Sequence, residues 1–370
     1  MSPDARVRKP RYGGRGVGVA GRVGARPEAR GTAWRPAREG TGNGMRLGFA
    51  VKVLGDGGRP SHDARRWQSG PSLGVSLDCL EAVLRYAAEH EIGMYRMATA
   101  LAPYASHPDL PQFRDQPARF AQRLGEVGAL ARQLGVRLST HPGQYTVLNS
   151  EDERVRRLAV EELQVQAELL DAMGLGPEAV VVLHVGGAAG GVAAALDRFC
   201  AGFEQLSEAA RARLVIENDD RTFGLRDVLA LSARVGRPVV WDVLHHHCHD
   251  PDRIPDREAL ALACATWPAD VAPKMHYSTP KTAIEEQRKK VGRRVERRLV
   301  LPQLRAHADM IDPIGFEHFV RETAAGIDVD VMLEAKGKDL ALLTLRDQLA
   351  ARGVALSGTS SPSAAAAAPS

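Results

Sequence analysis

From Met45 onward the chain alternates short apolar runs with longer amphipathic stretches, and the two periods predict two kinds of element. Strands are expected at Arg46–Val51, Gly93–Ala98, Val136–Thr140, Val180–Val185, Arg213–Glu217, Pro238–Val243, Ala272–Tyr277 and Val329–Glu334. Helical spacing fills the intervals, for example over Leu77–His90, Ala118–Leu134, Glu153–Met173, Arg226–Val235 and Arg257–Thr266. Val180-Val-Val-Leu183 and Val239-Val-Trp241 are unbroken apolar runs, as parallel strands covered on both faces require. Gly135, Gly174 and Gly236 each follow a helical stretch, where a left-handed C-cap is needed. Eight strands with interposed helices predict an α/β fold, a single (β/α)8 TIM barrel rather than a doubly wound sheet.

The two ends break this pattern. Residues 1–44 are rich in Gly, Arg, Ala and Pro without apolar periodicity, so they predict a disordered basic arm or translation upstream of a miscalled start. Gly16-Val-Gly-Val-Ala-Gly21 matches G-x-G-x-x-G in form. It lies between no strand and no helix, and no nucleotide cofactor is expected from it. Residues 357–370 are a low-complexity tail, which leaves 45–356 for the barrel.

Composition sets the compartment and the charge problem. Hydrophobic residues make up 44% and charged residues 25% of the 370, ordinary for a soluble globular chain. No apolar run approaches the roughly 20 residues of a membrane span, and no signal-peptide core is present. No membrane partner is expected. Cys79, Cys200, Cys248 and Cys264 are far apart with no C-x-x-C, which fits a reduced cytoplasm better than a disulfide or zinc-ribbon framework. The net charge of +4 misleads until it is located. Residues 1–44 carry ten basic against three acidic side chains, +7, and the tail carries none, so 45–356 sums to −3. Any nucleic-acid surface on the barrel must therefore be a local patch.

Candidate chemistry collects at the C-terminal strand ends. Strand two is followed by Ser106-His107-Pro108, and strand three ends in His141-Pro-Gly-Gln144-Tyr145. His184 ends strand four, Glu217 strand five and Asp242 strand six, with His245 close behind; strand seven carries Lys274 and His276, and strand eight ends in Glu334. In this fold that rim is where active sites are built. One histidine at a strand end is an ordinary residue, but so many carboxylates and imidazoles in one pocket repel or lose charge unless cations join them. Mixed imidazole and carboxylate donors suit manganese, zinc or iron, and no strand ends in a thiolate. Seven or more donors exceed one coordination shell. Two or three divalent ions follow, a set able to activate water and clamp a phosphodiester. Beyond strand seven, Gln287–Arg298 holds seven basic residues and one acid, a run that is either a solvated charged face or a loop on the active rim that tracks phosphates.

These residues also carry a resemblance. Tyr104-Ala-Ser-His107-Pro108, Ser139-Thr-His141-Pro-Gly-Gln144-Tyr145, Leu183-His184-Val-Gly-Gly187 and Glu217-Asn-Asp-Asp220 stand in the order of the UV damage endonucleases. So do Trp241-Asp242-Val-Leu-His245-His246, Pro273-Lys274-Met-His276, Ala306-His307-Ala-Asp309 and Leu333-Glu334-Ala-Lys336, and the likeness runs from about Met45 to about Leu345. The family resembles the endonuclease IV type of barrel, and its members cut DNA immediately 5′ of ultraviolet photoproducts. The resemblance implies damaged double-stranded DNA as partner and manganese as cofactor, several ions per site, with zinc or magnesium as alternatives. A monomer is expected.

Carried over by position, the implied metal ligands are His107, His141, His184, Glu217, Asp242, His245, His276 and Glu334. Glu217, Lys274 and His307 are the implied catalytic set. A free ammonium beside divalent cations is repelled, so Lys274 must contact phosphate, lose its proton or be carbamylated. Gln144 and Tyr145 match the pair that the family inserts at the lesion, with packing beneath the next helix as the alternative for Tyr145. DNA contacts are also expected at Lys289, Lys290, Arg293 and Arg294. The first strand departs from the family: Phe49 keeps a ring without its hydroxyl and Val53 replaces a polar group, so lesion contacts there shift to Phe49 and Lys52. The competing reading is a metal-dependent sugar isomerase or epimerase on a related barrel. Such an enzyme needs fewer ligands and has no use for a basic rim or the Gln144-Tyr145 pair.

Overall fold

A computed structural model describes residues 45–292, 294–354 and 356. The expectations for 1–44 and 357–370 fall outside this set. The chain runs β1 (Leu47–Ala50), α1 (Leu73–Glu89), β2 (Met94–Arg96), α2 (Gln116–Arg119), α3 (Ala121–Gln133), β3 (Arg137–Ser139), α4 (Glu153–Ala172) and β4 (Val181–His184). It continues α5 (Val192–Phe203), α6 (Glu208–Arg213), β5 (Leu214–Glu217), α7 (Leu225–Val235), β6 (Val239–Val240), α8 (Val243–Cys248), α9 (Asp256–Cys264) and β7 (Lys274–Tyr277). Then come β8 (Glu285–Val291), β9 (Arg294–Val300), α10 (Pro313–His318), β10 (Asp330–Leu333) and α11 (Lys338–Ala351).

Two parallel sheets, ordered β3–β2–β1–β10–β7 and β4–β5–β6, make the wall. Single residue pairs join them: Thr140 beside Val181 links β3 to β4, and Asp242 beside His276 links β6 to β7. The ring of eight strands is thereby closed, and the expected TIM barrel is the fold. Side chains alternate across each strand. Phe49, Tyr95, Leu138, Leu183, Ile216 and Val331 join the helices in the large outer core. Their neighbours fill the lumen: Ala50, Met94 and Met332 in one layer, and Val180, Val182, Val215 and Val240 with Trp267 in another. Each buried Val, Leu, Ile, Phe or Met among them contributes about 1.5–3 kcal/mol.

Helix ends follow the local chemistry. The Asp152 carboxylate accepts from Arg154 N at 2.8 Å and starts α4, and Ser72 accepts from Gly74 N at 3.1 Å and starts α1. Gly135, Gly174 and Gly236 have φ of 68°, 61° and 66°, the left-handed caps expected of them. The single helix expected over 118–134 is instead split into α2 and α3 at Phe120, whose φ and ψ of −109° and 19° are not helical.

The floor of the barrel is polar and extensively bonded, with one Arg137 nitrogen, Nη2, left without a hydrogen-bond partner among the described residues. Arg137, buried on β3, donates to Asp330 Oδ2 at 2.7 Å, Glu178 O at 2.8 Å and Ala272 O at 2.8 Å, and its guanidinium lies 5.6 Å from the Trp267 ring centroid. Arg46 closes on the other side of Asp330.

The basic run beyond β7 is corrected from loop to ribbon. β8 and β9 pair antiparallel over seven residue pairs, from Glu285 with Val300 to Val291 with Arg294. Neither strand shows an apolar face, because almost every residue in it is exposed. A strand with no core to face has no period to read.

Candidate metal centre

The rim residues converge on Glu217. Alternation on β5 turns Val215 and Glu217 into the lumen, and Glu217 is fully buried there. His276 on β7 places Nδ1 2.8 Å from Glu217 Oε1, and His141, just past β3, places Nε2 2.9 Å from Oε2. His184 Nε2 stands 3.5 Å from Oε2, and His245 Nδ1 3.7 Å from Oε1. On the far side Glu334 Oε1 lies 3.5 Å from His276 Nδ1, and Oε2 lies 3.7 Å from His307 Nδ1. Successive ring centroids from His276 through His141, His184 and His245 to His307 are 5.7, 5.1, 5.4 and 6.2 Å apart.

Three overlapping groups could each hold a metal ion: His141, His184 and Glu217; His141, His276 and Glu334; Glu217, Asp242 and His245. The donor set passes an independent test. Asp242 Oδ2, His276 Nε2 and His184 Nδ1 are buried without a hydrogen-bond partner among the described residues. Leaving buried polar atoms bare costs about 1–3 kcal/mol each, which cation ligation removes.

Charge states follow from surroundings. Burial alone pushes the Glu217 carboxyl up, but His276, His184 and His141 prevail and hold it well below the usual range. Burial drives His141 down to about 4, so its ring is neutral. Burial also opposes charge on His245, yet Asp242 and Glu217 carry that imidazole up to about 9. Burial pushes Lys274 well below the usual lysine range, reinforced by Arg96 and Arg137; its Nζ bonds Ser139 Oγ at 2.9 Å.

Supporting residues that pattern reading had missed complete the arrangement. Asn218 brackets Asp242, donating Nδ2 to Asp242 O at 3.1 Å and accepting from Asp242 N at 2.9 Å. Its own carbonyl stands 3.0 Å from His245 Nδ1. Asp242 Oδ1 accepts from His245 N at 2.8 Å, so one carboxylate also starts α8. Arg96, at the end of β2, donates to Glu334 Oε1 and offsets the burial that would otherwise neutralise it. The signal for Arg96 was its parity with Met94, which puts it in the lumen.

One expected ligand stands apart from the donor groups, and one expected DNA contact is corrected. His107 is exposed, accepts from Asp109 N at 3.2 Å, faces the Tyr104 ring, and belongs to none of the three donor groups among the described residues. Phe49 is fully buried on the outer side of β1, 5.3 Å from the Tyr95 ring, and offers nothing to DNA. Lys52 is exposed at the rim. Gln144 is exposed and Tyr145 is 84% exposed, which removes the reading of Tyr145 as packed beneath a helix. A cleft of about 340 Å³ opens at Gln144, lined also by His184, His245, Asp220 and Arg221. Lys289, Lys290 and Arg294 are exposed on the ribbon; Arg293 lies outside the described residues. None of the helices among the described residues is long and apolar enough to cross a membrane.

Comparison with known proteins shows the family. The model of the UV-endonuclease UvdE family matches residues 75–361. The UV DNA damage endonuclease of Bacillus velezensis is 32% identical over 278 residues, 73% of this chain and 79% of that protein. That of Bacillus pumilus is 33% identical over 270 residues, 72% and 78% of the two chains. The crystal structure of SacUVDE superposes with a TM-score of 0.69 at 30% identity, covering 84% of this chain and 100% of that one.

Proposed function

The chain belongs to the UV-endonuclease UvdE family and is a UV-damage repair endonuclease; we propose that it hydrolyses the phosphodiester bond immediately 5′ of pyrimidine dimers with divalent ions held at this rim. The observation that carries the metal dependence is the convergence of three donor groups on Glu217 and His141, with buried ligand atoms left bare. Manganese is the ion we assign, as the family resemblance implies; imidazole and carboxylate donors without thiolate suit it as they suit zinc or iron, and zinc and magnesium are the alternatives. Such ions, when bound, polarise a phosphoryl oxygen and lower the pKa of water.

The protein's own groups do the rest. Glu217, shared between two donor groups, carries the negative charge that holds neighbouring cations together. Asn218 keeps Asp242 and His245 aimed, and Arg96 keeps Glu334 ionised and oriented. His307, half-exposed beside Glu334, is placed to donate to the scissile phosphate. Lys274 serves as a neutral or modified amine, a role its burial supports. Exposed Gln144 and Tyr145 fill the gap behind extruded bases, which a lesion opens at lower cost. The enzyme acts in the cytoplasm as a monomer on damaged duplex. Residues 45–356 form its one catalytic domain, with 1–44 an accessory basic arm. The sugar isomerase reading has no observation in its favour.

The test is incision of a duplex bearing one thymine dimer by chelator-stripped protein. Cutting 5′ of the dimer that returns with manganese is expected. Incision indifferent to chelation, or none with any divalent ion, would sink the reading.

A further inference from the structure

We propose that the β8–β9 ribbon is a duplex-gripping arm, one face of which lies along undamaged double-stranded DNA beside the incision site and holds it without reading sequence. The inference rests on the nuclease reading above and names the element that engages the flank.

The ribbon grows from the site itself. Lys281 N donates to Ala306 O at 2.8 Å, Ala308 N donates to Thr279 O at 2.9 Å, and Pro280 pairs with His307. The stem of the arm is thus clamped around a residue that borders Glu334. Seven residues per strand at about 3.4 Å give a reach of roughly 24 Å, about seven base pairs of duplex. A two-stranded ribbon is also an element that the roughly 12 Å major groove admits.

Its charges lack internal answers. Arg288 and Arg297 stand directly opposite each other, a pairing that destabilises an isolated antiparallel ladder. Among the described residues only Glu286 meets them, 2.9 Å from Arg288 Nε and 3.7 Å from Arg297 Nε. Alternation puts Lys290 on this same face, so three cations share one carboxylate. Val295 and Leu299 lie beside them, 61% and 71% exposed, apolar surface with no core behind it. The opposite face sets Lys289 directly across from Glu296 and is closer to neutral.

The barrel itself gives the complementary argument. Residues 45–356 sum to −3, the ribbon with its turn contributes +4 from seven basic and three acidic residues, and the remainder is therefore −7. A body of that charge repels a polyanion, so attraction must come from a local positive element. Within 45–356 the ribbon is the densest one.

The experiment compares wild type with R288Q/K290Q/R297Q and, on the other face, K289Q/R294Q/R298Q. Binding to thymine-dimer duplexes with long or trimmed flanks is measured across a salt series, with sedimentation run in parallel. Each lost phosphate contact removes about 0.9 from the slope of log affinity against log salt. The first triple is expected to lose about 2.7 in slope on long flanks, and its preference for long over trimmed flanks should vanish. The second triple should lose less than half as much. An unchanged slope, equal losses from both triples, or a wild-type dimer that the first triple converts to monomer would each overturn the arm. Should the wild type fail to incise any dimer-bearing duplex, the nuclease reading falls and the arm falls with it; should it incise while the first triple keeps its slope, only the arm falls.

Discussion

His276 Nδ1 stands 2.8 Å from Glu217 Oε1, and both side chains are sealed from solvent. With Nδ1–H donated to the carboxylate, Nε2 is left as the free donor atom, and it has no partner. Second partners of this kind fix a ligating ring in one tautomer. Glu217→Gln should therefore damage both the shared carboxylate and the ring that it orients. The expected loss is about 100-fold or more in incision, with fewer manganese ions retained on equilibrium dialysis. Full metal content at wild-type rates would refute the shared-ligand role.

Arg96 and Glu334 make a second test. Arg96→Lys keeps the charge and loses the planar fork, whereas Arg96→Met leaves Glu334 buried and uncompensated. Incision should fall about tenfold in the first and further in the second, by the range typical of ligand-orienting partners. Single-turnover rates at saturating manganese decide it, since equal rates in all three proteins would reduce Arg96 to packing.

The His245 imidazole, carried up to about 9 in the ion-free fold against about 6.5 unfolded, gives a signed pH dependence. A raised value means that the protonated ring stabilises the fold fully below about 6.5, and that this contribution is lost as pH rises through about 9. Ion binding must displace the same proton. Manganese affinity should rise up to tenfold per pH unit below about 9 and then level. Calorimetry in two buffers of different ionisation heat should show a proton released at pH 7.5, and none from this site in His245→Gln.

Arg137 separates stability from chemistry. Removing it strips three hydrogen bonds and leaves Asp330 to Arg46 alone. Arg137→Ala should cost about 3 kcal/mol in denaturant unfolding, the low end for breaking a buried pair. The incision rate per folded molecule should change little, because the floor lies at the opposite end of the barrel from the metal donors and Arg137 acts on Lys274 less than burial and Arg96 do.

Tyr145→Ala should leave stability within about 0.5 kcal/mol, as expected for an exposed surface residue. Paired with Gln144→Ala, it should lower the ratio of damaged to undamaged duplex binding while manganese content stays constant. An unaltered ratio would move lesion sensing elsewhere, with exposed Lys52 the next residue to change.

The barrel was legible because burial on both faces leaves unbroken apolar runs such as those of β4 and β6, and the candidate site because six strands, β3 to β7 and β10, carry a donor-type residue at or within two residues of their ends. All eight strands lie within their expected spans, shorter by a residue or more. Phe49 was misjudged on kind rather than position: an aromatic near the rim invites a binding role, yet its neighbours Gly48 and Ala50 take the lumen and turn it outward. The ribbon escaped notice because solvent surrounds both its faces. Arg96 and Asn218 serve the site through distant partners, which spacing along the chain does not encode.

The wall of the barrel has two joints at which one residue pair does the work of a whole strand contact. Across the first, Thr140 N donates to Val180 O and Thr140 O accepts from Val182 N, both at 3.0 Å, and across the second His276 N donates to Trp241 O at 3.0 Å. Both joints touch the ligand set: His141 follows Thr140, and Asp242 and His276 are themselves the second pair. A cation held by His141, His184 and Glu217 thus rivets one sheet to the other, like a hoop on a cask. Manganese at 100 times its dissociation constant adds about 2.7 kcal/mol to the closed form. Chelation should therefore speed hydrogen exchange at the Thr140, Val182 and His276 amides before it does so elsewhere in the wall. Deprived of its ions, the enzyme would be both idle and loose at the seams, and so more open to proteolysis when manganese is scarce.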